Sequence, residues 1–131
     1  MKVRSYDAYT DYDKILELIK QEKLTSLYRK DKNLYKEAMS NSETFVLEDN
    51  DEIIGFARAI SDFTYTTYVM ELVAKETYDK EVVFSHLLTK LERLALHGNC
   101  NIICDNEEDE KVYKKLGFKK NGDGLRITYK K

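Results

Sequence analysis

Proline is absent from this 131-residue chain, so every reversal must be made by Gly, Asn, Asp or Ser. Cysteine is nearly absent too. Cys100 and Cys104 are the only two, and on one predicted strand they stand roughly 13 Å apart, too far to bond to each other. They read as reduced core thiols, and with no second pair nearby a metal site is not expected. No apolar run reaches the roughly 20 residues that cross a bilayer, and no signal-peptide pattern is present, so a cytoplasmic setting is expected. Neither charge sign dominates: the formal net charge is −2, which gives no pull toward nucleic acid or an anionic membrane. Also missing are a nucleophilic triad, a Walker loop, a metal-ligand cluster and a basic stripe.

What is present is an ordinary soluble composition, 42% apolar and 35% charged, in a length that suits one domain over residues 1–131. Met1–Tyr6 is a plausible first strand. Asp11 looks like the cap of a helix with the stripe Ile15, Leu18, Ile19. A second helical segment covers roughly Lys32–Met39. Glu43–Glu48 and Glu52–Ile60 are strands of a hairpin turned by Asp49-Asn50-Asp51, and Tyr65–Ala74 is a third strand. A helix follows from about Lys80 to His97, with Val83, Leu87, Leu91, Leu94 and Ala95 as its buried stripe and Gly98 as its stop. Asn101–Cys104 is a short strand. Asp105 or Asn106 caps a further helix ending near Leu116-Gly117, and Gly122–Tyr129 closes as a last strand. The order predicts an α/β (α+β) fold: one mixed, mostly antiparallel sheet with helices on both faces.

The most informative stretch is Val69–Leu88, VMELVAKETYDKEVVFSHLL. A strand runs through a short polar turn into a helix, and that corner suits an anion, because first-turn N–H groups have no intrahelical partner. Phosphate corners usually carry glycine, whereas this one carries Asp79, Glu81, Val82 and Phe84. Asp79 as an N-cap and Glu81 in the first turn would equally satisfy the helix end with no ligand.

Three segments, in order, resemble the GNAT acyltransferase superfamily: the hairpin end IIGFARAISD, the strand LVA with TYDKEVVFSHLL, and DNEEDEKVYKKLGFKK. The most specific is Tyr113-Lys114-Lys115-Leu116-Gly117-Phe118, similar to the family's tyrosine-bearing helix end and Leu-Gly-Phe turn. The resemblance implies that acetyl-CoA lies between the two central parallel strands. Its pantetheine would hydrogen-bond near Leu72, Val73 and Ala74. The pyrophosphate would rest on Asp79, Lys80, Glu81, Val82, Val83, Phe84 and Ser85, with Asn106 either capping its helix or touching the cofactor. The family places Gln or Arg, then Gly, then Gly or Ala where this chain has Asp79, Val82 and Phe84, so the pyrophosphate motif is substituted.

The resemblance also implies Tyr113 as the general acid, and a phenol is protonated at neutral pH. Glu71, which strand alternation places on the same side as Val69 and Val73, reads either as the acceptor of the substrate's proton or as a salt-bridge partner. His86 reads as a surface residue and His97 as a helix C-terminal cation. The activity implied is transfer of an acetyl group from acetyl-CoA to a primary amine of a small-molecule or peptide acceptor. The alternative is a GNAT-fold interaction or regulatory module without CoA binding. The sequence leaves homodimerisation open.

Overall fold

Strand-forming runs rich in Val, Ile, Phe and Thr pair here into one sheet, as the computed structural model, which describes residues 1–28 and 31–129, lays out. The strands are β1 (Lys2–Ser5), β2 (Glu43–Asp49), β3 (Glu52–Ser61), β4 (Thr66–Ala74) and β5 (Asn99–Ile102). They lie side by side in chain order, antiparallel except for the parallel pair β4–β5. Among the described residues there are four α-helices, α1 (Ala8–Gln21), α2 (Lys32–Ser40), α3 (Lys80–Glu92) and, after the last strand, α4 (Glu107–Lys115), with a 3-10 turn at Thr25–Tyr28. The result is the expected α/β fold with a mixed, mostly antiparallel sheet. At the β2–β3 turn Asn50 and Asp51 both take positive φ, 51° and 62°, the backbone that matches a two-residue hairpin to strand twist.

Each face of the sheet buries its own helices. On one, Tyr12, Ile15 and Ile19 of α1 and Tyr35 and Met39 of α2 pack on Val46, Phe56 and Val73. On the other, Val83, Phe84, Leu87 and Leu91 of α3 and Tyr113 of α4 cover Phe45, Leu47, Ile54 and Val69. Spacing of three and four residues along α1 and α3 produces these stripes.

Several expectations change in the structure. Asp7, not Asp11, caps α1, accepting from the Tyr9 N–H at 2.8 Å. Asp11 sits one turn further in, fully buried, and binds both terminal nitrogens of Arg4 at 2.7 and 2.8 Å. Helix α3 stops at Glu92, because Arg93 and Leu94 N–H groups turn to the carbonyls three residues back. His97 therefore lies in the following turn and not at a helix end. Gly98 is needed for close approach and not as a helix stop: a Cβ there would lie 1.9 Å from the Tyr65 carbonyl oxygen. Asn99 N–H then bonds that same oxygen at 2.8 Å, so pairing begins two residues earlier than the apolar run suggests and Cys104 falls beyond β5. The segment Gly122–Tyr129 forms no strand. Its Leu125, Ile127 and Tyr129 alternate but stay exposed, and alternation makes a strand only where a ladder partner takes up its N–H and C=O groups.

Candidate active site

A β-bulge in the middle of β4 organises the site. Arg58 of β3 faces Glu71 and Ala59 faces Val69, which leaves Met70 without a partner in the register. An extra residue reverses the alternation beyond it. Val69 thus belongs to the α3–α4 face, whereas Val73 belongs to the α1–α2 face. The expectation that Glu71 shares a side with Val69 is overturned by that bulge; with Val73 it holds.

The bulge coincides with the point where the sheet splits. Strand β5 pairs with β4 only from Thr66 to Val69. Beyond Val69 the two strands part, and a cavity of about 550 Å³ opens between Met70–Lys75 on one wall and Ile102–Asn106 on the other. The β4 backbone from Met70 onward has lost its β5 ladder, so N–H and C=O groups on that edge face the cavity. This is the stretch Leu72, Val73, Ala74 expected to bind pantetheine. Because the contact uses backbone, it does not matter that the Val73 side chain is buried in the opposite layer.

Glu71 is buried, yet it borders the cavity. One carboxylate oxygen accepts from the Tyr35 hydroxyl at 2.6 Å and the other from Arg58 Nε at 2.7 Å. Arg58 also donates to Ser42 Oγ at 3.2 Å. Burial, followed by the nearby Glu71 carboxylate, pushes the Tyr35 phenol far above its ordinary value, so it remains a donor. Tyr35, Ser42 and Arg58 were not expected from sequence. Arg58 carried the one available signal, a charge inside the apolar run IIGFARAIS, since such a charge requires a partner.

Tyr113 owes its position to the turn that follows it. Leu116 ends α4, Gly117 takes φ +105°, and the Phe118 N–H reaches back to the Tyr113 carbonyl at 3.0 Å. The Gly117 N–H bonds the Lys114 carbonyl at 3.1 Å. These are the two bonds of a Schellman ending, and its usual apolar contact is present as the Tyr113 and Phe118 rings, 5.9 Å apart. Phe84 stacks on the other side of Tyr113 at 6.0 Å. Tyr113 lines the cavity, and its hydroxyl has no hydrogen-bond partner among the described residues. Burial, with the Asp109 carboxylate adding to it, raises its pKa well above the usual phenol. It is protonated across the neutral range.

The corner expected to hold a diphosphate is arranged differently. Asp79 accepts the Val82 N–H at 3.2 Å as the cap of α3. Lys80 is drawn across the cavity mouth to Asp109 at 3.1 Å. Val83 and Phe84 are buried in the core, Val82 is partly exposed at 43%, and Glu81 and Ser85 are exposed. Asn106 caps α4 by accepting from Asp109 N–H at 2.8 Å while its own amide donates to the Asp109 carboxylate at 3.0 Å. The corner therefore presents a carboxylate, a neutralised lysine and a β-branched side chain where an anion would sit.

His86 is exposed on α3, as expected. Burial pushes the Cys100 thiol up to about 11, which keeps it protonated and unreactive. Among the described residues no group of three His, Cys, Asp or Glu is placed to hold a metal ion, and no helix is long and apolar enough to cross a membrane.

A sheet whose last two strands, β4 and β5, part after a short parallel ladder, with a tyrosine presented at the split, defines a cleft-type acyltransferase fold. The model of the acetyltransferase (GNAT) family matches residues 8–118, and the chain belongs to that family. No curated protein matches the sequence. Among solved structures, aminoglycoside 6'-acetyltransferase type Ii is similar at 24% identity and TM-score 0.77, over 93% of this chain and 85% of that one. AAC(6')-Iy in complex with a bisubstrate analog, CoA-S-monomethyl-acetylneamine, is similar at 15% identity and TM-score 0.73, over 98% and 97%. A predicted acetyltransferase with acetyl-CoA from Clostridium acetobutylicum follows at 16% identity and TM-score 0.72, over 97% and 95%. At these identities the likeness is one of fold.

Proposed function

We propose that the protein is an N-acetyltransferase that moves an acetyl group from acetyl-CoA to a primary amine. The observation that carries this reading is the cavity at the β4–β5 split, with the Tyr113 hydroxyl and the Glu71 carboxylate both bordering it. Family membership and the CoA-bound relatives support it. The amine nitrogen attacks the thioester carbonyl, the C–N bond forms and the C–S bond breaks. Tyr113 gives its proton to the departing sulfur and recovers one from solvent. Each Glu71 oxygen, although already engaged, keeps a second lone pair, so the carboxylate accepts the proton leaving the nitrogen through an intervening water. The acetyl carbonyl is stabilised by N–H groups of the unpaired β4 edge, which point at the cavity without reorganising.

The acceptor end of the cavity is acidic. Glu22 and Glu71 line it, and Lys75 is already paired with Glu52. Cationic amines are the acceptors such a wall concentrates, and two of the similar structures carry aminoglycoside acetyltransferase names. A second reading, an interaction module that has lost CoA, is favoured by the closed diphosphate corner alone.

Release of free thiol from acetyl-CoA in the presence of a panel of di- and polyamines tests the proposal. Tyr113→Phe should slow turnover by roughly 10²-fold, the lower range for a general acid, while melting at the temperature of the parent. Thiol release as fast as the parent's would remove Tyr113 from the chemistry. No release with any thioester donor would overturn the transferase reading in favour of the module.

A further inference from the structure

The two halves of the donor site disagree. Its inner half is built to take an acyl-pantetheine: the β4 edge from Met70 to Ala74 is stripped of its β5 ladder and lines the cavity beside Tyr113. Its outer half opposes a nucleotide diphosphate. Asp79 places its carboxylate at the start of α3 and takes the Val82 N–H for itself. Glu76, Asp105, Glu108 and Asp109 line the mouth, where the lysine that would offset them, Lys80, is held by Asp109. We propose that this chain recognises its acyl donor through the pantetheine arm and thioester alone, the nucleotide end making no net favourable contact.

The inference rests on the acetyltransferase reading above, and it goes further in naming the donor class: thioesters of pantetheine serve as well as acetyl-CoA. Charge supplies the reason. Screening weakens repulsion between exposed like charges just as it weakens attraction. Here a nucleotide diphosphate meets carboxylates, so added salt should help acetyl-CoA; in a site with a working phosphate cradle it should hurt.

The experiment compares acetyl-CoA, S-acetylpantetheine and adenosine 5'-diphosphate 3'-phosphate by calorimetric binding and, for the thioesters, by thiol release with one cationic amine. The two thioesters should agree in kcat/KM within about tenfold, since several charge-assisted hydrogen bonds to phosphate would separate them by far more. The adenosine nucleotide, which carries the diphosphate, should show no binding and no competition at millimolar concentration. Raising NaCl from about 20 to about 300 mM, which shortens the Debye length several-fold, should lower the KM for acetyl-CoA and leave that for S-acetylpantetheine level. Asp79→Ser keeps a capping oxygen while removing the charge, and should lower the KM for acetyl-CoA more than that for S-acetylpantetheine. Turnover with acetyl-CoA but not with S-acetylpantetheine, or competition by adenosine 5'-diphosphate 3'-phosphate, would overturn the proposal and leave the transferase reading standing. Silence with both thioesters would overturn both.

Discussion

Gly117→Ala separates backbone conformation from packing more cleanly than any other change near the site. A Cβ at this position would meet no heavy atom within 4 Å, so the methyl brings no clash. All of its cost is the φ of +105°, a region that costs an L-residue about 1–2 kcal/mol. Alanine also restricts the unfolded chain, which returns about 0.4–1 kcal/mol. The net loss is about 1 kcal/mol, or a fall in Tm of about 3–6 °C for a chain of this length. Gly124 is the control: it too has open space around it, but no positive φ, so Gly124→Ala should not lower Tm. The functional consequence differs as well. If the chain escapes the strain by unwinding the turn, the Phe118 N–H leaves the Tyr113 carbonyl and the ring of Tyr113 loses its Phe118 neighbour. Turnover should then fall in Gly117→Ala and remain at the parent level in Gly124→Ala. Thermal denaturation and thiol release on the two variants decide the matter. A Gly117→Ala protein as stable and active as the parent would mean that the left-handed turn does not position Tyr113.

Asp11 is buried and its pKa is lowered, chiefly by the Arg4 hydrogen bonds and then by the Asp7 N–H, against a desolvation that raises it. A carboxylate lowered on folding adds stability above its ordinary value, near 3.8, and that contribution fades as pH falls through the lower folded value. Asp11→Asn should cost about 1–3 kcal/mol at pH 7, because Arg4 keeps Glu48 and some solvent; in urea unfolding, the gap to the parent should narrow only below about pH 4. Glu71→Gln keeps the shape of the side chain and an acceptor for Tyr35 but removes the charge opposite Arg58. It should lower kcat and raise the KM for cationic amines more than the KM for the thioester, and an unchanged kcat with an equal effect on both KM values would assign Glu71 to structure alone.

Much of the fold could be read from the residues, because its signals are local. The hairpin turn needs φ > 0 at Asn50 and Asp51, and those residue types tolerate it. The stripes of α1 and α3 come from spacing, and Leu-Gly-Phe is a helix ending whose hydrogen bonds close within six residues. The misplacements share a cause: they depend on distant partners. Asp7 and Asp11 are both acidic near a helix start, and only Arg4, arriving from β1, makes the second a buried ion-pair member and leaves the first to cap. The start of β5 is fixed by the contact of Gly98 with Tyr65, which no window around His97 contains. The alternation of Leu125, Ile127 and Tyr129 is local, but the ladder it would require is not.

The site divides along the same line. Tyr113 could be placed from sequence because its turn is local, and the substituted corner was visible as Asp79, Val82 and Phe84. The bulge at Met70 could not be read, and the chemistry of the acceptor side depends on it. Without the extra residue, Glu71 would share the α3–α4 face with Val69, among Leu87 and Phe84, with no cation to balance it. With it, the carboxylate turns to the α1–α2 face and meets Tyr35 and Arg58. One residue of slip in β4 thus converts an unsupported buried charge into a fixed anion at the wall of the cavity, at the same point where β5 departs and the cavity opens.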